Sequence, residues 1–229
     1  MPVVKPNAQY NLTTPESLST RIITRVRKQM FSIFMKALVP TIGDTVLDIG
    51  VTSDRTYVWS NYFEALYPWK DRITAAGIDD ARFLEHRYPG LRFIVADGRD
   101  LPFADRSFDL VHSAAVLEHV GSFENQARMV AECLRVARRG VCLTTPNRWF
   151  PIEFHTQLPL VRWLPKPACR AVFRRIGLGF FAEEANLNLM TERELRHISG
   201  NHPDWAFRML SPRLLGWPSN LVIVGRRIV

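Results

Sequence analysis

Four short apolar runs, each closing on acidic or otherwise polar residues, constrain this chain more than any other feature. They are Thr45-Val46-Leu47-Asp48-Ile49-Gly50, Ile73 to Ile78 ahead of Asp79-Asp80, Phe93-Ile94-Val95-Ala96 ahead of Asp97-Gly98, and Phe108-Asp109-Leu110-Val111 ahead of His112-Ser113. Runs this short suit strands buried on both faces, as a parallel sheet requires. The segments between them read as helices: residues 54–67, with Tyr57, Trp59, Tyr62, Phe63 and Leu66 as apolar members, and residues 81–87, which stop at Tyr88-Pro89-Gly90. Strands alternating with helices give an α/β, doubly wound, mostly parallel sheet. Such sheets bind ligands just beyond the carboxyl ends of their strands. The polar residues at four successive ends are therefore candidate ligand contacts.

The rest of the chain extends this plan. Ile22, Ile23, Val26, Met30, Ile33, Phe34, Ala37 and Leu38 recur at helical spacing and stop before Pro40, so residues 14–39 are expected to form an amphipathic N-terminal helix. Residues 44–146 form the expected ligand-binding core. It closes with a helix through Ala127, Met129, Val130, Cys133 and Leu134, a stop at Gly140 and a strand at 141–145. Thr191 and Glu194 have capping-box spacing, so a helix is expected from there, with closing strands at 206–210 and 220–224. Residues 150–190, rich in Pro, Phe, Leu and Arg, lack clear periodicity. An insertion of this kind suits a lid or substrate-recognition segment.

Length and composition bound the class. At 229 residues, 47% hydrophobic and 23% charged, the chain is expected to be one globular domain. No window approaches 18 uninterrupted apolar residues, and the opening MPVVKPNAQYNLTTPES holds no apolar signal core; a cytoplasmic protein is expected, with peripheral membrane contact open. Cys133, Cys142 and Cys169 have no metal-type spacing, so reduced thiols and no metal are expected. The net charge of +8 favours anionic partners. Residues 158–181 concentrate it: Arg162, Lys166, Arg170, Arg174 and Arg175 interleave with Trp163, Phe173, Phe180 and Phe181, with no acid among them. That mixture suits a membrane surface or lipid-like substrate, and also nucleic acid. A solvated face over a packed lid is the plainer reading.

The order Asp48-Ile49-Gly50, Asp79-Asp80, Asp97-Gly98 and His112-Ser113, with FDLV ahead of LEHV, resembles the class I S-adenosylmethionine-dependent methyltransferases, in particular their small-molecule, type 11-like branch. The resemblance covers roughly residues 44–146. It implies a seven-stranded Rossmann-like sheet and S-adenosyl-L-methionine as cofactor. Asp48 and Gly50 would shape the loop under the methionine part, Asp79 would accept from the ribose hydroxyls, and Asp97 would receive the adenine amino group. Gly98 would admit close backbone approach, and Ser113 and Ala114 would lie near the methionine moiety and methyl group. Asp80 is better placed to cap a helix than to bind. One departure stands out: where the family usually has several glycines after the first strand, this chain reads Gly50-Val51-Thr52-Ser53-Asp54. That glycine-poor loop keeps a non-catalytic domain open as an alternative. It also argues against a nicotinamide cofactor, whose pyrophosphate needs a glycine-rich turn on a helix N-terminus.

A sulfonium methyl group is already activated, so catalysis rests chiefly on holding a nucleophile in line. A base is needed only where the acceptor must lose a proton, and His119 and His155 are the candidates, with Glu153 two residues before His155 on the same face of an extended segment. Ser113-Ala114-Ala115-Val116 stands where nucleic-acid amino-methylating members of the family usually carry an Asp-Pro-Pro-Tyr-type motif. The expectation is methyl transfer to a small-molecule or lipid-linked acceptor, with an RNA methyltransferase as the alternative that charge suggests.

Overall fold

The structure is a computed structural model, and it describes residues 18–55, 58–153, 155–214 and 216–228. Tyr57 and residues 14–17, both assigned to helices from the sequence, lie outside the described residues. Seven strands form the main sheet: β1 (Val46–Ile49), β2 (Ile73–Gly77), β3 (Arg92–Val95), β4 (Phe108–Ala114), β5 (Ala137–Pro146), β6 (Trp205–Met209) and β7 (Asn220–Arg227). Their order is β3-β2-β1-β4-β5-β7-β6. The pairings among β1 to β5 are parallel, and β7 runs antiparallel to both β5 and β6. The order reverses between β1 and β4, which opens the crevice where doubly wound sheets bind ligands.

Both faces of the sheet are covered. On one side lie α1 (Leu18–Leu38), α2 (Tyr62–Leu66) and α3 (Phe83–Arg87), burying Phe34, Leu38, Phe63, Tyr67 and Leu84 against Val46, Ala75 and Leu110. On the other, α4 (Phe123–Val136) and α7 (Glu192–Gly200) bury Met129, Val130, Leu134, Leu195 and Ile198 against Leu47, Val111 and Leu143. The Thr191 capping box forms as the spacing predicts: Thr191 Oγ1 accepts from Glu194 N at 3.2 Å and Glu194 Oε2 accepts from Thr191 N at 2.7 Å. Residues 150–190 carry α5 (Lys166–Arg175) and α6 (Gly179–Ala182) around a small core of Val161, Cys169, Phe173, Phe181, Leu187 and Leu189.

Three local expectations are corrected. His112 and Ser113 do not end a strand; β4 carries them inside the sheet, opposite Cys142 and Leu143. Gly140 is no helix stop: α4 ends at Val136, and Gly140 sits in β5. A Cβ there would lie 2.7 Å from Leu38 Cδ2 and 3.0 Å from Leu110 Cδ2, so close packing under α1 explains the glycine. Residues 54–67 are not one helix. Residues 51–55 are loop, a 3-10 turn spans Val58–Asn61, and only α2 is α-helical.

Candidate cofactor and acceptor site

A cavity of about 270 Å³ opens beyond the carboxyl ends of β1 to β4. Its wall takes Gly50, Thr52 and Asp54 after β1, Ile78 after β2, Asp97, Gly98 and Arg99 after β3, and Ala115, Val116 and His119 after β4. Each strand thus delivers its following turn to one crevice, as the succession of polar strand ends implied. Gly50 adopts φ of 99°, and its backbone N–H donates to Ala76 O at 2.7 Å. A Cβ on Gly50 would fall 2.0 Å from Val116 Cγ2, so the turn admits only glycine.

The loop after Gly50 holds its shape by other means. Asn61 clamps it from both sides: Thr52 N donates to Asn61 Oδ1 at 2.8 Å, and Asn61 Nδ2 donates to Thr52 O at 3.0 Å. Asp54 is braced in turn, with Asp54 N donating to Thr52 Oγ1 at 3.1 Å and Ser60 Oγ to Asp54 Oδ2 at 2.8 Å.

The candidate cofactor residues divide into two groups. Gly50, Asp97 and Gly98 line the large cavity. The Asp97 carboxylate accepts from the Arg99 guanidinium, at 3.0 Å from Nε and 2.6 Å from Nη2, and those bonds hold it below the usual carboxylate range. Asp79 is not among the lining residues, although Ile78 beside it is. Asp80 accepts from Arg82 N at 3.0 Å, but the N-cap position of α3 is Arg82 itself, so Asp80 braces the turn ahead of the helix and does not cap it. Ser113 is buried and donates to Ile49 O at 3.0 Å, tying β4 to β1 instead of facing the cavity.

Asp48 also lies away from the cavity wall. It shares the strand face of Val46, on the α1 side, and its Oδ1 meets His112 Nδ1. The His112 ring stacks on Phe63 at 4.2 Å and meets Phe34 edge-on at 5.6 Å, while Tyr62 Oη lies 3.3 Å from its Nε2. Burial pushes Asp48 up to about 7 and His112 down to about 3. The neighbouring Glu64 is likewise raised by burial and by Asp48.

A second cavity of about 130 Å³ lies under α1, walled by Ile23, Val26, Met30, Tyr62, Ala114, Glu118 and Pro146. Arg27, Ala115 and His155 line both spaces, so the two adjoin. Arg27 Nη1 donates to Trp59 O, which fixes the guanidinium near the junction.

The two candidate catalytic histidines come together there. His119 Nε2 and His155 Nε2 are 3.2 Å apart. His119 Nδ1 donates to Asn186 O at 2.7 Å, and His155 Nδ1 donates to Glu153 Oε1 at 2.8 Å. Burial lowers His119 to about 3. Burial alone would raise Glu153, but the hydrogen bond and charge of His155, with Arg162 and Thr156, pull it down to about 2. Glu118 is fully buried; its Oε2 accepts from Thr145 Oγ1 at 2.8 Å, and burial raises its carboxyl to about 7. The 183–190 segment locks onto this turn, with Asn188 N donating to Glu118 O at 2.7 Å and Gln126 Nε2 to Asn188 O at 2.7 Å.

Arg27, Asn61, Arg99 and Glu118 escaped the sequence reading. Arg27 reads as one more cation on an amphipathic helix, and Asn61 and Glu118 act through partners that local pattern does not disclose. Arg99 alone had a signal, two residues from Asp97 in a strand-end turn.

Comparison with known proteins agrees with this geometry. Residues 60–144 match the family described as a methyltransferase domain, a match that begins just after the glycine-poor loop. A phthiotriol/phenolphthiotriol dimycocerosates methyltransferase of Mycobacterium tuberculosis is 34% identical over 100 residues, 43% of this chain and 35% of that one. A probable S-adenosylmethionine-dependent methyltransferase of the same species is 41% identical over 64 residues, 27% of this chain and 22% of the relative. The aligned regions thus span about a third or less of these curated relatives. Among solved structures, the magnesium protoporphyrin IX methyltransferase of Synechocystis PCC 6803 with bound SAH superposes with a TM-score of 0.59 at 15% identity, covering 96% of this chain and 91% of that one. The N-methyltransferase NodS of Bradyrhizobium japonicum gives 0.57 at 12% identity, covering 93% and 90%. The sheet order, the crevice at its reversal and the match over residues 60–144, a little over a third of the chain, agree with a methyltransferase-type α/β fold built around that stretch.

Proposed function

We propose that this chain transfers the methyl group of S-adenosyl-L-methionine to a small-molecule or lipid-linked acceptor. The observation that carries the reading is the pair of adjoining cavities, a larger one at the strand ends and a smaller one under α1, with Arg27, Ala115 and His155 common to both. The residues of the larger cavity fit the cofactor: the partly exposed Asp97 carboxylate suits an adenine amino group, and Gly98 beside it leaves room for the ring. Asp79, just outside the wall, serves the ribose hydroxyls on this reading. The bound cofactor supplies an activated methyl group; the protein supplies alignment, which in well-oriented systems removes about 7–11 kcal/mol of barrier. Ala114 and Ala115 leave space at the junction, and His119 and His155 wall it.

The acceptor cavity is mainly apolar, which favours a hydrophobic acceptor. The matched mycobacterial relative, named for a methyltransferase of phthiotriol dimycocerosates, is consistent with that class. The outer surface adds support. Trp163 and Trp217 stack at 6.1 Å while both stay about half-exposed, and Trp149, Leu160 and Leu164 are exposed as well. Aromatic and aliphatic side chains beside the half-buried Arg148, whose guanidinium lies over the Trp149 ring, suit a membrane surface from which a lipid-linked acceptor is drawn. Among the described residues, no helix is long and apolar enough to cross a membrane.

Calorimetry with S-adenosyl-L-methionine tests the assignment. One-to-one binding is expected, weakened roughly tenfold or more in Asp97→Ala by loss of a charge-assisted hydrogen bond. Absence of binding to the folded wild-type chain overturns the reading.

A further inference from the structure

Glu118, His119 and His155 each point one ligand atom toward the others, and these three atoms lie within 4.8 Å of one another. His119 and Glu118 are consecutive in the turn after β4; His155 comes from the 150–190 segment, 36 residues further on. Sequence spacing therefore gave no sign of the cluster. It sits where the two cavities meet: His155 lines both, His119 the larger and Glu118 the smaller.

Two features set the cluster apart from a chance contact. The first is the outer hydrogen bonding. Each histidine commits its Nδ1 proton to an acceptor, Asn186 O at 2.7 Å for His119 and Glu153 Oε1 at 2.8 Å for His155. With Nδ1 so committed, each ring turns its Nε2 toward the other, 3.2 Å away. Two unprotonated nitrogens at that distance repel, so the pair must share either a proton or a metal cation. A histidine held through its far nitrogen by a carboxylate or carbonyl is the usual support of a metal ligand. Glu153 is itself fixed, accepting from Thr156 N and Thr156 Oγ1 at 2.6 Å each.

The second is the carboxylate. Glu118 is fully buried, and while Thr145 Oγ1 occupies Oε2, Oε1 has no hydrogen-bond partner. That oxygen lies 3.9 Å from His119 Nε2. Two nitrogens bound to zinc at about 2.0–2.1 Å in tetrahedral array stand about 3.3 Å apart, close to the separation here. The broad terminal torsion of a glutamate can bring Oε1 nearer.

We propose that Glu118, His119 and His155 bind a divalent transition-metal cation of the zinc class, leaving an open coordination position toward the acceptor cavity. Two imidazoles and one carboxylate are a donor set of catalytic zinc sites, where the remaining position takes water or substrate. Resting on the methyl-transfer reading, the site specifies an oxygen acceptor. A hydroxyl bound to the cation loses its proton to water more readily. Its oxygen then forms the new C–O bond as the sulfonium S–CH₃ bond breaks, releasing a methyl ether and neutral S-adenosylhomocysteine. The histidines thus act on the acceptor through the cation and do not take its proton themselves.

Metal-stripped full-length protein, titrated with Co²⁺ and followed by visible absorption, by metal analysis after dialysis and by melting temperature, tests the site. One Co²⁺ per chain is expected, with bands of nitrogen and oxygen ligation and competition by Zn²⁺. Glu118→Gln and His155→Ala should each weaken binding at least tenfold and abolish the metal-dependent rise in melting temperature. His86→Ala, exposed and remote, should bind as wild type. Failure of the folded wild-type chain to retain Co²⁺ or Zn²⁺ overturns the proposal, as does wild-type affinity in Glu118→Gln and His155→Ala. Thr145→Val keeps the three ligands and guards against misfolded variants; it should bind Co²⁺ more weakly, and unchanged affinity counts against the assigned carboxylate geometry. Calorimetry with S-adenosyl-L-methionine on the metal-stripped chain runs in parallel. Cofactor binding without metal binding refutes the metal site alone, and metal binding without cofactor binding refutes the methyl-transfer reading alone.

Discussion

Replacing Asp48 by asparagine should add a steep rise with pH to the stability of the fold, where the Asp48–His112 pair by itself contributes none. Asp48 and His112 form a buried pair whose proton affinities move in opposite directions: burial raises Asp48 from 3.8 to about 7 and lowers His112 from 6.5 to about 3. The raised Asp48 gives stability that is fully present below its unfolded value and is lost as pH rises toward 7. The lowered His112 does the reverse, giving stability that is present above 6.5 and lost as pH falls toward 3. Between 3.8 and 6.5 the unfolded pair holds one proton, on His112, and the folded pair also holds one, on Asp48. Equal proton counts mean zero slope. In Asp48→Asn the folded state holds none and the unfolded state still holds one. Stability should then rise by about 1.4 kcal/mol per pH unit, or about 3–4 kcal/mol across the window. Urea unfolding at half-unit steps from about pH 4 to 6.5 reads the difference; groups outside the cluster largely cancel between the two curves, and Glu64, which Asp48 also raises, is taken out of the comparison by measuring both proteins in a Glu64→Gln background. Parallel curves would refute the claim that Asp48 is neutral in the fold. Because Asp48 lies away from the cavity wall, the same variant should keep its affinity for S-adenosyl-L-methionine within a few-fold at pH 7.

Other perturbations probe the loop and the helices. Asn61→Ala removes both clamps on Thr52, a loss of about 1–3 kcal/mol that must appear either in urea stability or as a roughly 5- to 150-fold weaker cofactor affinity, and no change in either quantity contradicts the clamp. Gly50→Ala should destabilise by at least about 2 kcal/mol through its positive φ and the clash with Val116; Gly50→Ala/Val116→Ala should recover the steric part but not the backbone strain, as urea melts of the three variants would reveal. Thr191→Ala breaks the capping box of α7 and should cost about 1 kcal/mol in the same assay, with cofactor affinity unchanged.

The parts of this protein that were legible in the sequence are those governed by local pattern. Apolar runs located β1, β2 and β4 because strands buried on both faces leave little choice of residue, and they located the edge strand β3 although Val95 is exposed there; Thr191 with Glu194 marked α7 because a capping box is local in chain and in space. The turn residues Gly50, Asp97 and Gly98 could be placed at the crevice because a parallel sheet sends every strand end the same way. Pattern failed where a contact joined distant segments. His112 read as a strand-end polar residue, yet it stacks on Phe63 inside the core, and only the register of β4 against β1 and β5 reveals this. Gly140 read as a helix terminus because the pressure of Leu38 and Leu110 on it is tertiary. Glu118 carried no signal at all, since its meaning depends on His155 arriving from the insertion.

The Asn61 clamp has a consequence for the unfolded chain. A loop of several glycines samples many backbone conformations when unfolded and forfeits that entropy on ordering. The Val51-Thr52-Ser53-Asp54 segment has less to forfeit, by about 0.4–1 kcal/mol for each glycine exchanged for a compatible residue. A side chain anchored in the neighbouring 3-10 turn thereby replaces conformational freedom with a preset shape, and the loop approaches its ligand already ordered.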